Sequence, residues 1–120
     1  MADVSPHRLA VLLAEEYHAA DEAERAGRIA MAWHHLERGH ILAQTRFWPH
    51  LQSHREMLHL ALRNRDRREV IGQLIRFALA PLGNLTGRLP LGNTGRSNVS
   101  AFAPMELPPD LHAILDPHAD

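Results

Sequence analysis

Residues 32–44 read AWHHLERGHILAQ, and the helical reading of this stretch organises the rest of the chain. At 100° per residue, Trp33, Leu36, Glu37, His40 and Gln44 fall within one arc of about 100°. The same projection over the next segment groups Leu51, His54, Leu58 and Leu62 on one face. Each apolar stripe therefore carries polar groups, and six of the ten histidines lie between His34 and His59. An imidazole or carboxylate facing a core is costly unless it is hydrogen-bonded, paired or coordinated. The pattern predicts two packed helices whose inner groups must find partners.

Working outward, Ser5-Pro6 reads as a cap and first turn, starting a helix that runs to Ala26 with Leu9, Leu13, Glu16, Tyr17 and Ala20 inward. Gly27 ends it, and a second helix covers Arg28 to Gln44. Trp48-Pro49 resets the chain for a third helix that ends near Arg63. Asp66 caps a fourth, with Val70, Leu74, Phe77 and Ala78 inward and Pro81 as its end. Connections this short predict antiparallel neighbours. Beyond Pro81, Pro81-Leu82-Gly83-Asn84 with Thr86-Gly87-Arg88 recurs as Pro90-Leu91-Gly92-Asn93 with Thr94-Gly95-Arg96. The doubling reads as two similar turns using positive φ, in a strap whose Leu85, Leu89, Leu91, Val99 and Phe102 pack back on the bundle. Pro108-Pro109-Asp110 introduces a short helix over Leu111 to Leu115.

The expected fold is all-α: an antiparallel helical bundle of about four helices with an irregular Gly/Pro-rich C-terminal strap and a short terminal helix. It forms a single domain over 1–120, divided into bundle (1–80), strap (81–107) and terminal helix with tail (108–120). With 120 residues, 45% hydrophobic and 5% aromatic, the chain supports one modest core of helix on helix. A net charge of -1 provides no basic field for nucleic acid, and Arg63, Arg65, Arg67 and Arg68 read as solvated helix ends. The absence of cysteine removes thiolate ligands and fits a reducing compartment. No apolar run approaches a membrane span, and Leu9 to Ala14 is too short for a secretory signal, so a cytoplasmic protein is expected. His7, His18, His34, His35, His59, His112 and His118 read as surface residues.

Glu37 and His40 form a Glu-x-x-His pair, a spacing that in carboxylate-bridged metal proteins brings both side chains to one ion. Glu16 shares the inner arc of the first helix, and His50 and His54 stand one turn apart on the third. The expected ligand set is therefore Glu16, Glu37, His40, His50 and His54, with Gln44 and Tyr17 as outer partners. This donor mix fits a transition metal ion and does not separate iron, manganese, zinc and copper. A noncovalent haem beside Trp33, Met57 and Phe47 is the alternative cofactor. Arg88 and Arg96 beside the glycine turns could cradle an anion, although no phosphate-loop spacing is present.

The stretch AWHHLERGHILAQ, together with the tail PLGNLTGRLPLGNTGRSNVSAF, resembles a small bacterial family, domain of unknown function 3703, over roughly Glu16 to Leu111. The resemblance implies a compact helical protein and carries over no activity or catalytic residue. The reading from the residues is a metal-binding bundle for metal handling or a small metal-dependent oxidation. The alternative is a non-catalytic interaction or regulatory module with a buried polar network. A small four-helix core with apolar faces left over predicts a homodimer.

Overall fold

The computed structural model describes residues 4–87, 93–97, 99 and 104–115, which form five helices and irregular segments with no strand among them. The sequence readings on Arg88, Leu89, Pro90, Leu91, Gly92, Phe102 and His118 lie outside the described residues. Helix α1 spans Pro6–Arg25, with Ser5 Oγ accepting from Arg8 N at 3.1 Å. Gly27 adopts φ 76°, which lets Arg28 N reach back to Ala23 O at 2.8 Å and close the helix end. Helix α2 spans Ile29–Ala43 and α3 spans Phe47–Arg63. Pro49 stands in the first turn of α3, where its missing N–H has no intrahelical partner to lose. No described helix is long and apolar enough to cross a membrane.

Helix α4 spans Arg67–Thr86 and corrects the expected stop at Pro81. Asp66 Oδ1 caps it by accepting from Glu69 N at 3.1 Å, and Gly87 at φ 71° closes it. Proline forfeits one bond to the preceding turn. The next turn recovers more, because Asn84 bonds into the neighbouring helices and Thr86 Oγ1 donates to Leu82 O at 2.7 Å. The helix therefore runs through the first Pro-Leu-Gly-Asn, and Leu85, expected to pack inward, is 83% exposed.

The inner face of α4 is also not the expected one. Glu69, Gly72, Gln73 and Ala80 are buried, whereas Leu74, Phe77 and Ala78 face outward. On α3 the buried set is His50, Ser53, His54, Met57, Leu60 and Ala61, while Leu51 and Leu58 are half-buried and Leu62 is exposed. In both helices polar residues displace aliphatic ones from the interior, because they bond to one another there.

Packing follows chain order: α1 lies on α2, α2 on α3 and α3 on α4, and the last helix, α5 (Pro109–Leu115), lies on α2. Helices α1 and α4 do not come together, so the bundle is open on that side. One apolar cluster joins Leu9 and Leu13 to Ile41, Leu42, Leu111 and Leu115. A second joins Ala20 and Ala23 to Ala32, Trp33, Leu36, Met57, Leu60 and Ala61. Gly39 allows the close approach of α1 to α2, since a Cβ there would stand 3.0 Å from Tyr17 Cε1.

Candidate metal centre

His40 stands in the last turn of α2, and the short link 44–46 folds the first two turns of α3 back toward it, bringing His50 and His54 alongside. His50 and His54 share a face because they are four residues apart. The three imidazoles are 3%, 5% and 3% exposed respectively. His40 Nε2 lies 3.1 Å from His54 Nε2 and 3.2 Å from His50 Nε2. One nitrogen from each ring falls within 4.8 Å of the others, an arrangement that could hold a metal ion.

The other ring nitrogens fix the tautomers. His40 Nδ1 lies 2.7 Å from the Asn93 carbonyl oxygen, which can only accept, so Nδ1 carries the proton. His50 Nδ1 lies 2.8 Å from Asn84 Oδ1, and the Asn84 amide is oriented because its Nδ2 donates to Gln44 O at 3.1 Å. His54 Nδ1 lies 2.8 Å from Gln73 Oε1, while Gln73 Nε2 donates to Glu69 Oε2 and Gly95 O, both at 2.9 Å. Flipping either amide would set oxygen against oxygen. Each imidazole therefore donates from Nδ1 and turns an unprotonated Nε2 lone pair toward the common centre.

Burial lowers all three pKa values. It is the main cause for His40, which falls well below its ordinary value, with His54 and His50 adding repulsion. His54 is lowered to about 4, the Gln73 bond opposing burial only in part. His50 is lowered for the same reason, against its bond to Asn84. The rings are thus neutral at pH 7, the state in which histidine is a ligand.

Segment 93–97 closes over this cluster. Gly95, at φ 84°, lies against the His40 ring, where an added Cβ would stand 2.7 Å from Cδ2. A Cβ on Gly72 would stand 2.3 Å from Ser97 Cβ, so α4 also needs glycine at this crossing. Glu69 holds the segment through Arg96 Nε at 2.6 Å and Ser97 N at 2.9 Å. Burial alone would raise the Glu69 pKa, but the bonds from Arg96, Gln73 and Ser97 outweigh it and hold it low. The Arg96 guanidinium also lies 3.9 Å from the centre of the Trp33 ring, so this arginine is engaged within the fold and not presented to an anion.

Of the residues singled out in the sequence, the structure brings together His40, His50 and His54. Glu16 is not among them: it pairs with Arg38 at 2.8 Å and His35 at 2.9 Å, so His35 is a half-buried partner and not a free surface group. Glu37 faces Arg96 at 3.6 Å, and burial raises its pKa against that charge. Both carboxylates go to cations on neighbouring elements. Gln44 is buried and contributes its backbone carbonyl to the Asn84 anchor. The Tyr17 hydroxyl is buried without a hydrogen-bond partner among the described residues, and burial raises its pKa. Phe47 is 40% exposed while Met57 is fully buried, so these two do not line a common porphyrin slot.

The anchors Asn84, Asn93 and Gln73 are not among the candidate site residues that helical periodicity marks. A signal for two of them was present, because the duplicated Pro-Leu-Gly-Asn supplies Asn84 to His50 and Asn93 to His40. Glu69 and Gln73, four residues apart on a helix, were a second signal. Comparison with known proteins finds no match among curated proteins or solved structures. A family model described as protein of unknown function (DUF3703) matches residues 7–115. That match covers nearly the whole chain, helices, histidine cluster and closing segment included, and the protein belongs to the DUF3703 family.

Proposed function

We propose that this protein binds a divalent transition metal ion through Nε2 of His40, His50 and His54 and serves in metal handling. The observation that carries the reading is the convergence of three buried lone pairs, each ring held by an acceptor on its far side. A purely structural hydrogen-bonded network would need a proton between ring nitrogens. That proton would make one ring a buried imidazolium, which burial and the neighbouring rings disfavour. A metal ion satisfies all three lone pairs at once. Nitrogens bound at about 2.0–2.1 Å in tetrahedral directions stand roughly 3.3 Å apart, close to the 3.1 and 3.2 Å spacings here.

A donor set of three neutral imidazoles suits zinc, copper, nickel or iron better than manganese, magnesium or calcium. It also leaves the charge of the ion uncompensated by its protein ligands, with a fourth position for water or an exchangeable ligand. Hydrogen bonds from the far nitrogens to carbonyl oxygens orient the rings and raise their basicity. The test is elemental analysis of protein purified without added metal, followed by cobalt(II) titration watched by visible absorption. The expected result is one ion per chain with tetrahedral cobalt bands that are lost in His54→Ala. Protein that contains no metal, and whose thermal midpoint does not move with zinc, copper, iron or cobalt, ends the proposal.

A further inference from the structure

The face of α4 opposite Gln73 is a charge-free apolar seam. At 100° per residue, Ile71, Leu74, Ile75, Ala78, Leu82 and Leu85 lie within an arc of about 100°, diametrically across the helix from the buried Glu69, Gln73 and Ala80. Ile71, Leu74, Ile75, Leu82 and Leu85 are 60%, 54%, 54%, 57% and 83% exposed. Ile71, Ile75, Ala78, Leu82 and Leu85 follow one another at four- and three-residue steps, the spacing of a helix that packs lengthwise against another. Among the described helices α4 packs only on α3, so none of them covers this face.

We infer that this seam is the surface on which two copies of the chain pair, α4 against α4, in antiparallel register about a two-fold axis at Ala78. The inference is independent of metal binding. The seam exposes roughly 600 Å² of apolar surface, at the upper limit for a monomer's largest patch and about three-quarters of the ~800 Å² per partner buried in a standard interface. No charged residue lies on it between Ile71 and Leu85. The one charged side chain within that span, Arg76, turns inward to Gly72 O at 3.3 Å and Val99 O at 2.5 Å. A seam without sign is complementary to itself, as a two-fold interface requires.

Charge also sets the direction. Exposed Arg67 and Arg68 mark the N-terminal end of α4. Parallel pairing would set four guanidinium groups together, whereas antiparallel pairing separates the two Arg67-Arg68 pairs to opposite ends of the seam. Ile71 then faces the partner's Leu85, Leu74 faces the partner's Leu82, and the smallest residue of the seam lies at the centre, where the helices approach most closely.

Light scattering and disulfide trapping test the inference on the full chain. Wild type is expected at twice the chain mass, and Ile75→Glu/Leu82→Glu at the chain mass with unchanged far-ultraviolet circular dichroism. The chain has no cysteine, so Ala78→Cys is expected to oxidise to a covalent dimer. Ile71→Cys should crosslink when mixed with Leu85→Cys, and neither should crosslink alone. A monomeric wild type overturns the inference, including one that sediments with phosphatidylglycerol vesicles. So does a dimer that survives the double glutamate variant, or crosslinking of Ile71→Cys alone.

Discussion

Mild acid should unfold the metal-free protein, and the burial of the histidines sets how steeply. In the folded chain His54 titrates at about 4, whereas in the unfolded chain it titrates near 6.5. Between those values the unfolded state binds a proton that the folded state refuses, so stability falls as pH falls. Above 6.5 both states are neutral at this residue and its pH dependence disappears. From pH 7 to pH 5 the linkage relation assigns His54 alone a loss of about 2 kcal/mol. His40 is also held well below its ordinary value, chiefly by burial, so its effect has the same sign. The His54 loss of about 2 kcal/mol is already a large share of the 5–15 kcal/mol that holds an ordinary domain folded. The assay is urea denaturation of chelator-treated protein at half-unit steps from pH 7.5 to 5, followed by circular dichroism. A denaturation midpoint that hardly moves over this range would refute the reasoning, because it would mean that the imidazoles charge as readily folded as unfolded.

Three further outcomes follow from the same contacts. Gln73→Leu removes the acceptor from His54 and two donors from Glu69 and Gly95. Metal affinity should fall about 10–100-fold, read by competition with a chromophoric chelator, while Leu74→Ala on the outer face should leave it unchanged. Gly95→Ala combines a left-handed backbone with a Cβ 2.7 Å from His40 Cδ2. It should destabilise the apoprotein by about 2–4 kcal/mol in urea titration, the left-handed strain adding to overpacking. Leu111→Ala empties a fully buried position in the cluster that joins α5 to α1 and α2. It should cost about 2–5 kcal/mol, and an unchanged thermal midpoint would show that α5 is not docked.

The elements were legible where local chemistry is strong. Ser5-Pro6, Gly27, Pro49 and Asp66 set helix starts and stops through backbone rules that act within a few residues, and the structure places those boundaries within about two residues of expectation. Pro81 was misleading for the opposite reason. Its local cost is outweighed by Asn84, whose bonds to His50 of α3 and to the Gln44 carbonyl just beyond α2 reach residues 34 and 40 positions away.

The sequence by itself determined that the protein is helical and that His40 and His54 face inward, because hydrophobic periodicity and capping are short-range properties of the chain. Tertiary structure alone decided which polar groups share the interior. Glu16 and Glu37 were drawn off by Arg38 and Arg96, and His40, His50 and His54 were left with amide and carbonyl anchors contributed by α4 and segment 93–97. A buried polar group goes to whichever partner best offsets its desolvation, and that partner is chosen by proximity in space, which spacing along one helix does not encode.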